Sequence, residues 1–174
     1  MRSTLHALCG LVLLAPAAAA QHEHEHSPYA DQPSSGIASL SVTEMEDLRN
    51  GAGMGLARAA ELNHYPGPKH VLDLADSLGL TPEQHANATA IFEHMQERAQ
   101  ELGERIIAAE EMLSRRFEHE HIDSATVESS TAEIGRLYGE LRYVHLAAHL
   151  ALKRLLTAQQ IAAYDRLRGY ATSM

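Results

Sequence analysis

Histidine is the side chain in excess in this chain, 12 of 174 residues against no tryptophan and two phenylalanines, so the chemistry to look for is that of imidazole. A neutral imidazole ligates Zn, Cu, Ni and Co. His145 and His149 stand four apart, and on a helix two such rings can approach one ion from the same face. If the chain folds back near residue 121, His94 lies opposite 148 and Glu97 lies level with 145. His94, Glu97, His145 and His149 would then offer three or four nitrogen and oxygen donors, the count a tetrahedral zinc site needs. The angles favour a plainer reading. His145 borders the apolar stripe of its helix, whereas His94 and His149 fall roughly a quarter-turn off theirs and would face water. A second cluster, His22, His24 and His26 with Glu23 and Glu25 between them, is a candidate for chelation by a flexible tail, against the entropy such a tail must lose. His119 and His121, between Glu118 and Glu120, read first as a solvated loop. No catalytic residues are expected. A Gly-rich phosphate loop, a nucleophile elbow, a Cys/His pair and a His-Glu-x-x-His motif are all missing, and Glu97, Glu101, Glu104, Glu110 and Glu111 read as a wet helix face.

The N-terminus indicates where such a protein would work. Arg2, the apolar run from Leu5 to Pro16 and Ala17 to Ala20 form the three parts of a cleaved secretory signal peptide over residues 1–20, which implies a periplasmic location. The apolar run is too short for a membrane span, which takes about 20 residues. Cys9, the only cysteine, lies inside it and does not follow the small residue a lipoprotein site needs. Cleavage leaves no thiolate or disulfide and removes a single histidine, His6. The net charge of −9, without a Lys/Arg cluster, argues against nucleic acid and anionic membranes as partners.

The elements that must position the histidines are helical. Residues 21–42 mix His, Glu, Ser, Pro and Gly without a period and read as a disordered tail. Residues 43–68 form a helical arm interrupted by Gly51, Gly53 and Gly55 and closed by a Tyr65-Pro66-Gly67-Pro68 turn that carries it back over the hairpin. Its Met45, Leu48, Met54, Leu56 and Leu62 suggest partial docking. A short helix over 69–77 ends at Gly79. Leu80-Thr81-Pro82-Glu83-Gln84 is then a capping box with proline at the first helical position. The helix it opens has Ile91, Met95, Ala99, Leu102, Ile106, Ala109, Leu113 and Phe117 as its buried stripe. After the loop at 118–123 a second long helix carries Ile134, Leu137, Leu141, Val144, Ala148, Ala151 and Leu155 in strict threes and fours, the pattern of a coiled-coil seam. Two helices of this length joined by a short loop should pair antiparallel. Leu156-Thr157-Ala158-Gln159-Gln160 repeats the capping box and opens a last short helix. The fold class is therefore all-α: a long antiparallel helical hairpin domain over 69–170, with short flanking N- and C-terminal helices.

Two copies of Leu-Thr-x-x-Gln, built from Leu80, Thr81 and Gln84 and from Leu156, Thr157 and Gln160, bracket the hairpin, and Ala163-Tyr164-Asp165-Arg166-Leu167 follows the second. In this the chain resembles the Spy/CpxP superfamily, which includes the CnrX- and ZraP-like periplasmic heavy-metal resistance and sensor proteins. The resemblance implies a non-enzymatic envelope protein, a homodimer, that requires no cofactor. Two jobs are compatible with it. One is a metal-binding stress-response protein taking Zn, Cu, Ni or Co through His, Glu and Met. The other is an ATP-independent chaperone binding unfolded client proteins, and an envelope sensor protein is a further possible partner. The acidic balance departs from the basic cradle of Spy-like members, and the histidine pair that CnrX-like proteins carry on their first helix is reduced here to His70.

Overall fold

The computed structural model describes residues 36–170, and all regular structure among them is helical. Seven helices occur there in order: α1 (Val42–Arg49), α2 (Arg58–Glu61), α3 (Pro68–Asp73), α4 (Ala75–Leu78), α5 (Pro82–Glu118), α6 (Ser124–Leu155) and α7 (Ala158–Leu167). The expected all-α hairpin is present, formed by α5 of 37 residues and α6 of 32. Both Leu-Thr-x-x-Gln segments form reciprocal capping boxes, with Thr81 and Thr157 accepting from the amides of Gln84 and Gln160 while each glutamine side chain accepts from its cap amide. Asp123 caps α6 through the Thr126 amide. The helix expected over 69–77 is broken at Leu74 into α3 and α4, and Gly79 ends α4 with φ +58°, a left-handed conformation that suits glycine.

The arm packs more fully than its sequence suggests, and it begins earlier. Ile37 and Leu40, expected in the disordered tail, are buried with Met45 and Leu48 against Ala99, Leu102, Ile106, Leu137 and Leu141. Ser41 and Glu44 form a third capping box, which starts α1 one residue before the expected boundary. Gly103 makes the docking possible, because a Cβ there would lie 2.1 Å from the carbonyl oxygen of Leu48. Leu62 and Met54 remain exposed, so the arm is anchored by α1 and by its closing turn. A second core joins Val71, Leu78, Ala88, Leu152, Leu156, Ile161 and Tyr164 at the open end of the hairpin. At the other end Phe117, expected in the buried stripe, is 57% exposed.

The α6 stripe also differs from the expected seam. The buried positions are Ile134, Leu137, Leu141, His145, Ala148, His149 and Leu152, while Val144, Ala151 and Leu155 are half-buried. A straight α-helix drifts about 20° per heptad relative to a strict seven-residue repeat. Beyond Leu141 this drift, together with the covering arm, shifts the buried face onto His145 and His149.

Candidate functional site

Between the two cores the arm arches over the hairpin and borders a half-open cavity of about 690 Å³. His145 and His149 form part of its wall, with Glu61 from α2, His70 from α3, Met95 from α5 and Arg168 just after α7. The turn at 62–68 roofs His149. Pro66 is fully buried, and a Cβ on Gly67 would lie 3.0 Å from both His149 Cε1 and Glu61 Oε2, so a side chain there would crowd both groups. His149 Nδ1 lies 2.7 Å from the Tyr65 carbonyl and donates to it, since a carbonyl can only accept. That bond orients the ring and leaves Nε2 as the nitrogen that faces Glu61, 3.9 Å from its Oε2. His145 is 3% exposed and its Nε2 has no hydrogen-bond partner. Burial, and secondarily the neighbouring His149, hold its pKa below the ordinary histidine value. Burial, then Arg168, does the same for His70. His145 and His70 are thus biased toward the neutral form.

Glu61 is the hub that ties the arm to the C-terminal segment. It accepts from the Tyr164 hydroxyl, accepts from the Tyr170 hydroxyl at 3.3 Å, and lies 3.6 Å from Arg168 Nε. Tyr164, fully buried, also accepts from the Gly67 amide at 3.2 Å; burial and the Glu61 bond push its pKa upward. His64 has φ +65°, unusual for a non-glycine residue. Two contacts hold it there, its ring Nδ1 at 2.8 Å from Asp165 and its carbonyl accepting from Lys153 at 2.6 Å.

The two glutamines of the repeated motif meet. Gln84 Nε2 donates to Gln160 Oε1 and Gln160 Nε2 donates to Gln84 Oε1, each at 2.9 Å, and Gln84 also reaches the Leu155 carbonyl at 3.1 Å. Each glutamine therefore caps its own helix and clasps the other, which ties the start of α5 to the start of α7. This gives a physical reason for two copies of one motif at one end of a hairpin. The profile of the LTXXQ motif family protein matches residues 67–168, more than half of the chain. The chain belongs to the LTXXQ motif family. This is the Spy/CpxP-type family, whose members are non-enzymatic and typically periplasmic. No curated protein and no solved structure matches the chain significantly.

Set on this LTXXQ scaffold, the histidines group differently from the four-donor arrangement that the hairpin register suggests. His145 and His149 do share a face, and both are buried where His149 was expected to face water. His94 is exposed and lines a separate groove with Ile91, Arg98, Tyr143 and Ala147. Glu97 is exposed as well. The register placed these two level with the pair, but their angular positions on α5 turn them away from it. Among the described residues no group of three or more His, Cys, Asp or Glu side chains converges as a metal-ligand set. His119 and His121 are exposed at the hairpin loop. His22, His24 and His26 lie outside the described residues. Glu61, Tyr164, Arg168 and Tyr170 do not stand out in the sequence as site residues. The Ala163-Tyr164-Asp165-Arg166-Leu167 run is a family signal, and a tyrosine inside a buried stripe is a signal of a hydroxyl in need of a partner. Among the described residues no helix is long and apolar enough to cross a membrane.

Proposed function

We propose that this LTXXQ protein works in the periplasm as a metal-binding stress-response protein, with His145 and His149 as the imidazole pair that takes a divalent transition-metal ion. The signal-peptide pattern of residues 1–20 and the family support export. The observation that carries the metal reading is the state of the two rings: one turn apart, lining one cavity, one oriented by the Tyr65 carbonyl and the other buried with Nε2 unpartnered. A ligating histidine needs such an anchor on its far nitrogen, and an orphaned buried nitrogen calls for an explanation. Glu61 is the nearest carboxylate to His149 Nε2, and water would complete the coordination. Two fixed imidazoles are fewer than a closed structural site requires, which suits an exchangeable site in a sensor or buffer. His22, His24 and His26 form a separate, weaker chelator.

Calorimetric titration with Zn(II), Cu(II), Ni(II) and Co(II) tests this. One equivalent should bind to the parent and to a chain lacking residues 21–27, and it should be lost in His145→Gln/His149→Gln. Binding that disappears with the tail alone would confine metal to the N-terminus and sink the folded site.

A second observation favours the chaperone alternative. Along α5 and α6 a groove of about 480 Å³ is lined by Ile91, Met95, Leu102, Val144 and Ala148, and by Tyr143, which is 70% exposed. Open apolar grooves mark interaction surfaces, and unfolded clients or a second copy of the chain would cover this one.

A further inference from the structure

The cavity beneath the arm is far larger than one metal ion needs. At about 690 Å³ it falls within the range of roughly 300–1,000 Å³ typical of sites for organic ligands. Its inner wall is apolar, with Met95 8% exposed and Phe92 half-buried, while Arg58 and Lys69 stand exposed at its edge. Its charge is unbalanced for so acidic a chain. Arg58, Lys69 and Arg168 line it against a single carboxylate, Glu61, which is already shared among Tyr164, Tyr170 and Arg168. Lys69 pairs with Asp73 at 2.8 Å, but Arg58 pairs with no carboxylate among the described residues. Arg168 Nε, a buried donor on the wall, has no hydrogen-bond partner. An apolar floor, a cationic edge and an unsatisfied guanidinium donor define a ligand that is apolar at one end and anionic at the other.

We propose that this cavity binds a medium-chain alkyl carboxylate, its head group taken by Arg58 and Arg168 and its chain laid against Leu62, Phe92 and Met95. The carboxylate would give Arg58 the partner it lacks, and charge-assisted bonds of this kind are the strong ones. The alkyl chain would exclude water from a wall that otherwise leaves apolar side chains wet. The site lies beside the proposed metal pair and does not depend on it.

The test is calorimetric titration of the full chain in EDTA with sodium octanoate, 1-octanol and octylamine, so that its outcome is separate from that of metal binding. Octanoate should saturate at one equivalent and bind roughly tenfold or more tighter than octanol or octylamine. Arg58→Gln should remove most of that preference. Gly53 lines the cavity and a Cβ there meets nothing within 4 Å, so Gly53→Trp can fill the opening and should abolish binding. Both variants should melt with the parent. Absence of saturable octanoate binding, equal affinity for octanol, or parent-like binding by the two folded variants would each overturn the proposal.

Discussion

Along its second half α6 has one flank sealed and one open. His145, His149 and Leu152 are 3%, 6% and 0% exposed beneath the arm, α3 and α7, whereas Tyr143 and Leu150 on the same stretch keep 70% and 46%. Pairing with α5 alone does not explain the difference, because Tyr143 lines a groove on the same hairpin and still stays open. The cover does: Tyr65, Pro66, Gly67 and Val71 close one side, and none of the described residues closes the other to the same degree. A bare helical hairpin would leave two shallow grooves. The arm converts one of them into a cavity lined by His145 and His149 and leaves the other available to a partner.

Truncating one side chain on each flank should give the largest contrast. Leu152→Ala removes a fully buried side chain and is expected to lower unfolding free energy by about 2–5 kcal/mol in urea titration. Tyr143→Ser on the open flank should change it by no more than about 0.5 kcal/mol. If the open groove serves clients, Tyr143→Ser should also weaken suppression of aggregation of a reduced client protein while Leu152→Ala, assayed where it remains folded, does not. A loss above about 1 kcal/mol for Tyr143→Ser that grows with protein concentration would mean that a second copy covers this flank.

A smaller effect is expected at the base of the hairpin, where the two motif copies join. Gln84→Ala and Gln160→Ala each remove half of a capping box and the whole of the amide clasp, for a loss of about 1–2 kcal/mol apiece. A double-mutant cycle should return a coupling of about 1 kcal/mol, since the second deletion finds the clasp already broken. Additive losses would reduce the motif to two independent helix caps.

Local signals were the legible ones. Thr81 and Thr157 as caps, Gly79 as a helix end, and Pro66-Gly67 as the turn that brings the arm back can each be read within five or six residues. The threes and fours of the two long helices were enough for the hairpin itself. What escaped depends on relations between distant segments. A strict heptad continued past Leu141 selects Val144, Ala151 and Leu155, but helical drift and the arm together select His145, His149 and Leu152. The clasp between Gln84 and Gln160 spans 76 residues, and neither glutamine offers a hint of it beyond the repeated motif. Ile37 and Leu40 lie in a stretch rich in Ser, Pro and Gly whose composition resembles a linker, and only the groove near Leu102 and Ile106 gives them a place to bury. For the site, the pairing of His145 with His149 is visible as a spacing. The separation of His94 from that pair is foreshadowed by its angle, whereas Glu97 is placed level with the pair by hairpin register alone.

The subtlest expected effect concerns the ionisation of the sealed flank. Burial first, and the neighbouring His149 second, keep the His145 pKa below its ordinary 6.5. Above that value the ring is neutral in both the folded and the unfolded chain and adds no pH dependence. As pH falls through 6.5 the unfolded chain takes up a proton that the folded chain resists, so stability declines until the lower folded pKa is passed. His70, depressed for the same leading reason, adds to the slope. Unfolding free energies measured from pH 8 to pH 5 should therefore fall for the parent, and His145→Gln should flatten part of that fall. Imidazole NMR titration should find His145 below the ordinary value. A His145 that titrates at or above 6.5 would mean that water reaches this wall freely, and the contrast between the two flanks of α6 would lose its electrostatic half.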